Sequence, residues 1–316
     1  LTLTLDAGSR QVEFEAGIGA DGESFTIADT GSATDDTLTL ENGAAATDVF
    51  TNNDFTINGF ENVVINNSGS GAATTQNIDN FTINADTGGT STLTVTGSNA
   101  MTFAAITAGT IDFSGVSPAS TGSTIVMGAA ASSVTTITGS EGNDTLVGDS
   151  SSTINGGAGI DTITGGTGND VINGGAGNDI INSSAGTDTV SGDAGDDRFA
   201  ITADAHVSAG DTFDGGDGTD TISFEADMTD SATTLQAFTN FEVLRINSAG
   251  ADTITMSNLL NTQSTITKIE FGDAGGGPGV MTVNNIGVNV TDIQLGINAA
   301  SITGDSVTVD RLVDGS

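Results

Sequence analysis

The sequence predicts an all-β chain, a parallel β-solenoid containing a β-roll segment, and three observations carry that prediction. Short apolar runs alternate with Gly, Ser, Asn and Asp breaks along the 316 residues, the pattern of many short strands joined by turns. Between residues 156 and 197 the chain repeats every nine residues with a carboxylate at the sixth position, a period that marks a coiled parallel sheet. Nothing reads as a long amphipathic helix; only residues 235–238 have the pattern of a helical turn or two.

Residues 1–138 form the first segment. Thr2-Leu3-Thr4-Leu5, Val63-Val64-Ile65 and Ser91-Thr92-Leu93-Thr94-Val95-Thr96 read as short strands, the outer two strictly alternating. A solenoid is favoured over a sandwich because this segment flows into the repeats with no Pro-rich or charged linker. Residues 139–223 hold the repeat array, with an out-of-register insertion near residues 201–205. Residues 224–316 return to the first composition. Gly59-Phe60-Glu61-Asn62-Val63-Val64-Ile65-Asn66 is echoed by Asn240-Phe241-Glu242-Val243-Leu244-Arg245-Ile246-Asn247. Each reads as a bend entering a buried strand, with Phe60 and Phe241 as apolar anchors. Gly275-Gly276-Gly277-Pro278-Gly279 reads as a turn-forming interruption.

In the array, Gly156-Gly157-Ala158-Gly159-Ile160-Asp161 is followed by Gly165-Gly166-Thr167-Gly168-Asn169-Asp170 and Gly174-Gly175-Ala176-Gly177-Asn178-Asp179. Looser copies end in Asp188 and Asp197, a degenerate one in Asp211, and a good one runs from Gly215 to Asp220. The apolar residue two places after each acid should point inward. That set is Leu146, Ile163, Ile172, Ile181, Val190, Phe199, Phe213 and Ile222. One inward residue in nine makes a thin core, so burial alone is a weak source of stability.

Two nonapeptides complete one coil, so alternate acids stack. Asp161, Asp179 and Asp197 form one column, joined by Asp144, and Asp170 and Asp188 form another. The unit at residues 148–155 is one residue short and reads with Thr153 at the acidic position. Adjacent coils lie about 4.8 Å apart. Two bare carboxylates at that spacing repel by roughly 3 kcal/mol at an effective dielectric near 20. Repeated along a column, this rivals a whole domain's stability of about 5–15 kcal/mol. A divalent cation reverses the sign, and calcium suits it by bridging oxygen ligands from successive turns.

The formal charge is −36, from 41 acidic and five basic residues. Nucleic-acid binding is not expected, because phosphate contacts need clustered Lys and Arg. With no cysteine, disulfides and thiolate metal sites are out of reach. No apolar run approaches the ~20 residues of a membrane-spanning helix. The chain begins at Leu1 without a signal-like segment and reads as part of a longer polypeptide. His206 is the single histidine. A zinc-protease motif needs two, and a general base needs positioned partners. No catalytic residue is expected, and the chain does not read as an enzyme.

Over residues 139–223 the array resembles the RTX family of secreted bacterial proteins. The flanks, by composition and by the Phe-Glu strand motif, resemble calcium-dependent bacterial surface-layer proteins. The resemblance implies type I export, folding outside the cell, and backbone carbonyl ligands from the second and fourth repeat positions. Carried over, these are Gly157 and Gly159, Gly166 and Gly168, Gly175 and Gly177, and Gly216 and Gly218, beside the acids already named. Gly186 and Gly195 keep the fourth position in the looser copies, whereas Ser184, Asp193 and Val207 depart from the pattern at the second. The expected metal is Ca²⁺. The expected role is a structural protein of the bacterial cell surface that self-assembles into a lattice or filament, with further copies of itself and surface polysaccharide as partners. The alternatives are an adhesin for glycans or host surfaces, and the calcium-binding tail of a secreted enzyme.

Overall fold

Alternation of apolar and polar residues decides the architecture. In a computed structural model, strands such as Asn62–Asn67 and Asn143–Val147 bury every second side chain, as the pleat of a strand requires. The structure describes residues 2–5, 10–14, 24–29, 36–42, 53–67, 76–85, 90–117, 123–127, 135–182, 184–203, 206–208, 210–225, 238–247, 265–271, 280–286, 291–295 and 306–311. The 275–279 interruption and residues 235–237 of the short helical pattern lie outside them. No α-helix occurs among the described residues, and none is long and apolar enough to cross a membrane. The chain falls into two compact units, Leu1–Gly166 and Thr167–Ser316.

The first unit runs through β1 (Thr2–Leu5), β2 (Arg10–Phe14), β3 (Ser24–Asp29), β4 (Thr37–Asn42), β5 (Asn53–Asn58), β6 (Asn62–Asn67), β7 (Gln76–Asn84) and β8 (Thr92–Gly97). It continues through β9 (Met101–Thr107), β10 (Thr110–Val116), β11 (Ser123–Met127), β12 (Thr136–Thr138), β13 (Asn143–Val147), β14 (Thr153–Ala158) and β15 (Thr162–Thr164). Odd-numbered strands pair with odd and even with even, so the chain alternates between two parallel sheets. This is a parallel β-solenoid. Register stacks like on like: Leu38 pairs with Val63, Val63 with Leu93, Leu93 with Ile111, Ile111 with Ile137 and Ile137 with Ile154. All six are buried, each contributing about 1.5–3 kcal/mol by leaving water. In the opposite sheet Phe25, Phe55 and Phe81 are in register. Their ring centroids are 5.4 and 5.9 Å apart, within the range of favourable aromatic pairs.

The second unit contains β16 (Val171–Ala176), β17 (Ile180–Asn182), β18 (Thr189–Ala194), β19 (Arg198–Ile201), β20 (Thr212–Asp214), β21 (Thr221–Phe224), β22 (Phe238–Thr239), β23 (Val243–Ile246), β24 (Lys268–Phe271) and β26 (Asp292–Leu295). A separate parallel pair is made by β25 (Val280–Ile286) and β27 (Ser306–Arg311). Here β16, β18, β20 and β22 form one ladder, and β17, β19, β21, β23, β24 and β26 the other. The eight expected inward residues are all buried. Near the end of the array the core residues widen to phenylalanine, and Phe213 stacks on Phe238 at 4.7 Å.

The two echoed bends share one geometry. Gly59 (φ 80°) and Asn240 (φ 56°) are both left-handed, a region open to glycine and tolerated by asparagine. Phe60 and Phe241, which follow, are buried.

The short unit at 148–155 differs from its expected alignment. Ser152, not Thr153, occupies the acidic corner: Ser152 is buried, whereas Thr153 is exposed. The missing residue is lost from the turn before Ser152. This preserves the strand register Thr136–Thr153 and Ile137–Ile154, which a deletion in the strand would shift to the wrong face.

Candidate metal centre

Each acid of the array sits where a turn enters a strand. There the backbone N–H of Asp144, Asp170, Asp179, Asp188, Asp197 and Asp220 meets a carboxylate of the next coil, whereas the Asp211 N–H donates to Ser208 O. In the second unit Asp179 N–H donates to Asp197 Oδ1 and Asp197 N–H to Asp220 Oδ1, both at 2.8 Å. The ladder ends where Asp220 N–H donates to Glu242 Oε2 at 2.9 Å. A second ladder runs through Asp170, Asp188 and Asp211, with N–H to Oδ1 distances of 2.9 and 2.8 Å. In the first unit Asp144 N–H donates to Asp161 Oδ1 at 2.8 Å. The stacking expected of Asp144 on Asp161, of Asp179 on Asp197 and of Asp170 on Asp188 is present. The structure adds Asp220 to one ladder and Asp211 to the other.

These carboxylates are expensive to leave bare. Asp144, Asp161, Asp170, Asp179, Asp188, Asp197, Asp211 and Asp220 are all at most 2 % exposed. Oδ1 of Asp161, Asp188, Asp197, Asp211 and Asp220 each accepts an N–H of the neighbouring coil. The other oxygens of Asp197 and Asp220, Oδ2 in both, are buried without a hydrogen-bond partner. Burial pushes the Asp197 carboxyl up to about 7, opposed by the Asp179 N–H and reinforced by the charges of Asp179 and Asp220. Burial likewise pushes Asp220 up to about 6, with Glu242 adding repulsion, and raises Asp188. An unpaired buried carboxylate requires a proton or a cation.

The glycines supply the rest of the cradle. All ten expected glycines, at 157, 159, 166, 168, 175, 177, 186, 195, 216 and 218, have positive φ. In the second unit the fourth-position glycines approach a carbonyl of the adjacent coil closely. A Cβ on Gly195 (φ 137°) would lie 1.9 Å from Gly177 O, and one on Gly218 (φ 152°) 2.0 Å from Gly195 O. Fourth-position carbonyls therefore abut the next coil where no side chain fits. The second-position carbonyls of Ser140 and Asp193 accept N–H groups from Ala158 and Asp217, at 3.1 and 2.7 Å, which engages one lone pair of each. Asp193 itself takes a left-handed φ of 69° at a glycine position.

Among the described residues no three His, Asp or Glu side chains form a metal-holding group. A cation here must draw on backbone carbonyls as well as on two stacked carboxylates. That all-oxygen set matches the preference of Ca²⁺ for six to eight oxygen ligands. The buried, partnerless oxygens of Asp197 and Asp220 and the carbonyl cradle fit such an ion.

Serine changes this pattern in three places. Ser140 donates its N–H to Asp144 Oδ2 at 2.6 Å, and its Oγ lies 3.0 and 2.9 Å from the two carboxylate oxygens. Ser184 Oγ lies 3.2 Å from Asp170 Oδ2 and 3.5 Å from Asp188 Oδ2. Ser208 donates its N–H to Asp211 Oδ2, and its Oγ lies 2.7 Å from Gly186 O and 3.1 Å from Asp211 Oδ1.

Glu242 was outside the expected site. Its counterpart Glu61 plays the same part in the first unit, accepting Asp36 N–H at 3.2 Å. The repeated Phe-Glu pair is the sequence signal for this role, although its apolar pattern alone speaks only for packing. His206 lies near the second ladder, where it opposes the rise at Asp188 electrostatically, with Nδ1 3.1 Å from Thr202 Oγ1.

The family model of the RTX calcium-binding nonapeptide repeat matches residues 136–154, 148–181, 155–190, 164–199 and 209–227. The array is thus made of RTX repeats, which bind calcium ions and typify secreted, extracellular bacterial proteins. No curated protein and no solved structure matches the chain.

Proposed function

We propose that this chain is a structural protein of the bacterial cell surface, an extracellular solenoid that folds on calcium and self-assembles into a lattice or filament. The observation that carries the reading is the ladder Asp179–Asp197–Asp220, whose buried carboxylates are stacked coil on coil with Asp197 Oδ2 and Asp220 Oδ2 left open. We assign these three side chains and the carbonyls of Gly177 and Gly195 as ligands. Calcium binding is then folding energy, because the site does not exist until the coils stack.

Assembly is supported by the charge and by the repetition. A chain with a formal charge of −36 repels its own copies unless cations screen or bridge them. Its coils present the same Thr-rich outer faces rung after rung, as in β8, β12 and β15. The reading assigns no catalysis to the chain. Electron microscopy with calcium and after chelation tests it: ordered arrays should form with the ion and disperse without it. Arrays indifferent to chelation, or an absence of arrays beside tight binding to a glycan surface, would count against it.

A further inference from the structure

We propose that serine hydroxyls replace calcium along the Asp170–Asp188–Asp211 ladder, so that this unit of the array takes up metal along the Asp179–Asp197–Asp220 ladder only. The inference rests on the reading that the open corners bind calcium, and it specifies which of them do.

The two ladders have the same backbone geometry and differ in what meets the outer carboxylate oxygens. At Asp197 and Asp220 Oδ2 is buried and meets no donor. In the other ladder each Oδ2 meets one. Ser184, itself only 5 % exposed, holds its Oγ between the Oδ2 atoms of Asp170 and Asp188, at 3.2 and 3.5 Å. A cation bridging those two acids would need that place. One coil on, the Ser208 backbone N–H points at Asp211 Oδ2. An N–H group has no lone pair to offer a metal, so the contact closes that oxygen. Ser208 Oγ then engages both Gly186 O, at 2.7 Å, and Asp211 Oδ1, at 3.1 Å. Gly186 O is a fourth-position carbonyl, one of the groups that would otherwise face the ion.

In the first unit Ser140 shows the same device. Its N–H and Oγ both fall on Asp144 Oδ2. Ser140 and Ser184 stand four residues before their acids, where Gly216 stands before Asp220. Replacing that glycine by serine brings a neutral donor to a corner that otherwise requires a charge.

The opposite role, serine as an additional calcium ligand, gives effects of opposite sign, so substitution separates the two. Bound calcium per chain is counted by equilibrium dialysis and elemental analysis, for the whole chain and for S184G, D188N and D197N. The proposal expects S184G to raise the count by one ion, because it reopens the corner between Asp170 and Asp188. It expects D188N to leave the count unchanged and D197N to lower it. A lower or unchanged count in S184G overturns the proposal. So does a loss in D188N equal to that in D197N, a comparison that stands even if a glycine variant fails to fold. A wild-type chain that binds no calcium would instead defeat the reading beneath it.

Discussion

Glu242 closes the ladder that Asp220 belongs to: the Asp220 N–H donates to Glu242 Oε2 at 2.9 Å, as Asp197 and Asp179 N–H groups do to the acids one coil further on. The acidic column thus ends on a longer side chain contributed by the flank. Replacing Glu242 by Ala should destabilise the calcium-loaded chain by about 1–3 kcal/mol, the usual cost of leaving a buried donor unmatched. Glu242→Gln keeps an acceptor oxygen and should lose much less. Urea unfolding in saturating calcium measures both, and equal losses would show that charge, not the hydrogen bond, is what matters.

Gly195 has a φ of 137°, and a Cβ there would meet Gly177 O at 1.9 Å. Gly195→Ala should therefore cost about 1–3 kcal/mol in backbone strain alone, with further loss from displacing the carbonyl. Calcium should bind more weakly in proportion. The neighbouring Ala194 is exposed, and Ala194→Ser should stay within about 0.5 kcal/mol of wild type. Paired calcium titrations of the two variants supply the check.

The pH response of the metal-free chain follows from Asp197 at about 7 and Asp220 at about 6. An unfolded aspartate titrates near 3.9. Both groups thus hold their protons more tightly when folded. Their contribution to stability is full below about pH 4 and is lost as pH rises through 6 and 7. Dialysed, metal-free chain should be more ordered at pH 5 than at pH 8. Calcium requires the deprotonated form, so its affinity should fall over the same interval on acidification. Circular dichroism at the two pH values, with and without calcium, should show the two trends in opposite directions.

Phe213 stacks on Phe238 at 4.7 Å with both rings buried. Phe213→Ala should cost about 3–5 kcal/mol, and calcium should not restore it, since the cavity lies inside the coil. A full rescue by excess calcium would show that the core contributes less than the ion.

Much of this was legible from the sequence because a strict period fixes which residues stack. The eight inward apolar residues and the pairing of Asp179 with Asp197 follow from eighteen residues per coil. The period lengthens to 23 and then 22 residues before Asp220 and Glu242, so neither could be placed in a ladder by counting. The spacing points to Thr153 rather than Ser152 for a related reason: it reveals that a residue is missing but not whether the turn or the strand lost it. Ser184 reads only as a departure from glycine, and Ser208 stands at a repeat position with no fixed residue. Their hydroxyl contacts reach acids on other coils or across a turn, and such contacts arise only once the coils are stacked.

The most direct measurement is a calcium titration of the metal-free chain followed by circular dichroism and thermal melting. β-signal and melting temperature should both rise with Ca²⁺, reverse on chelation, and respond far less to equal Mg²⁺, whose small octahedral shell suits carbonyl cages poorly. A chain that keeps its β-signal and its melting temperature after exhaustive removal of calcium would show that the stacked carboxylates close without a metal.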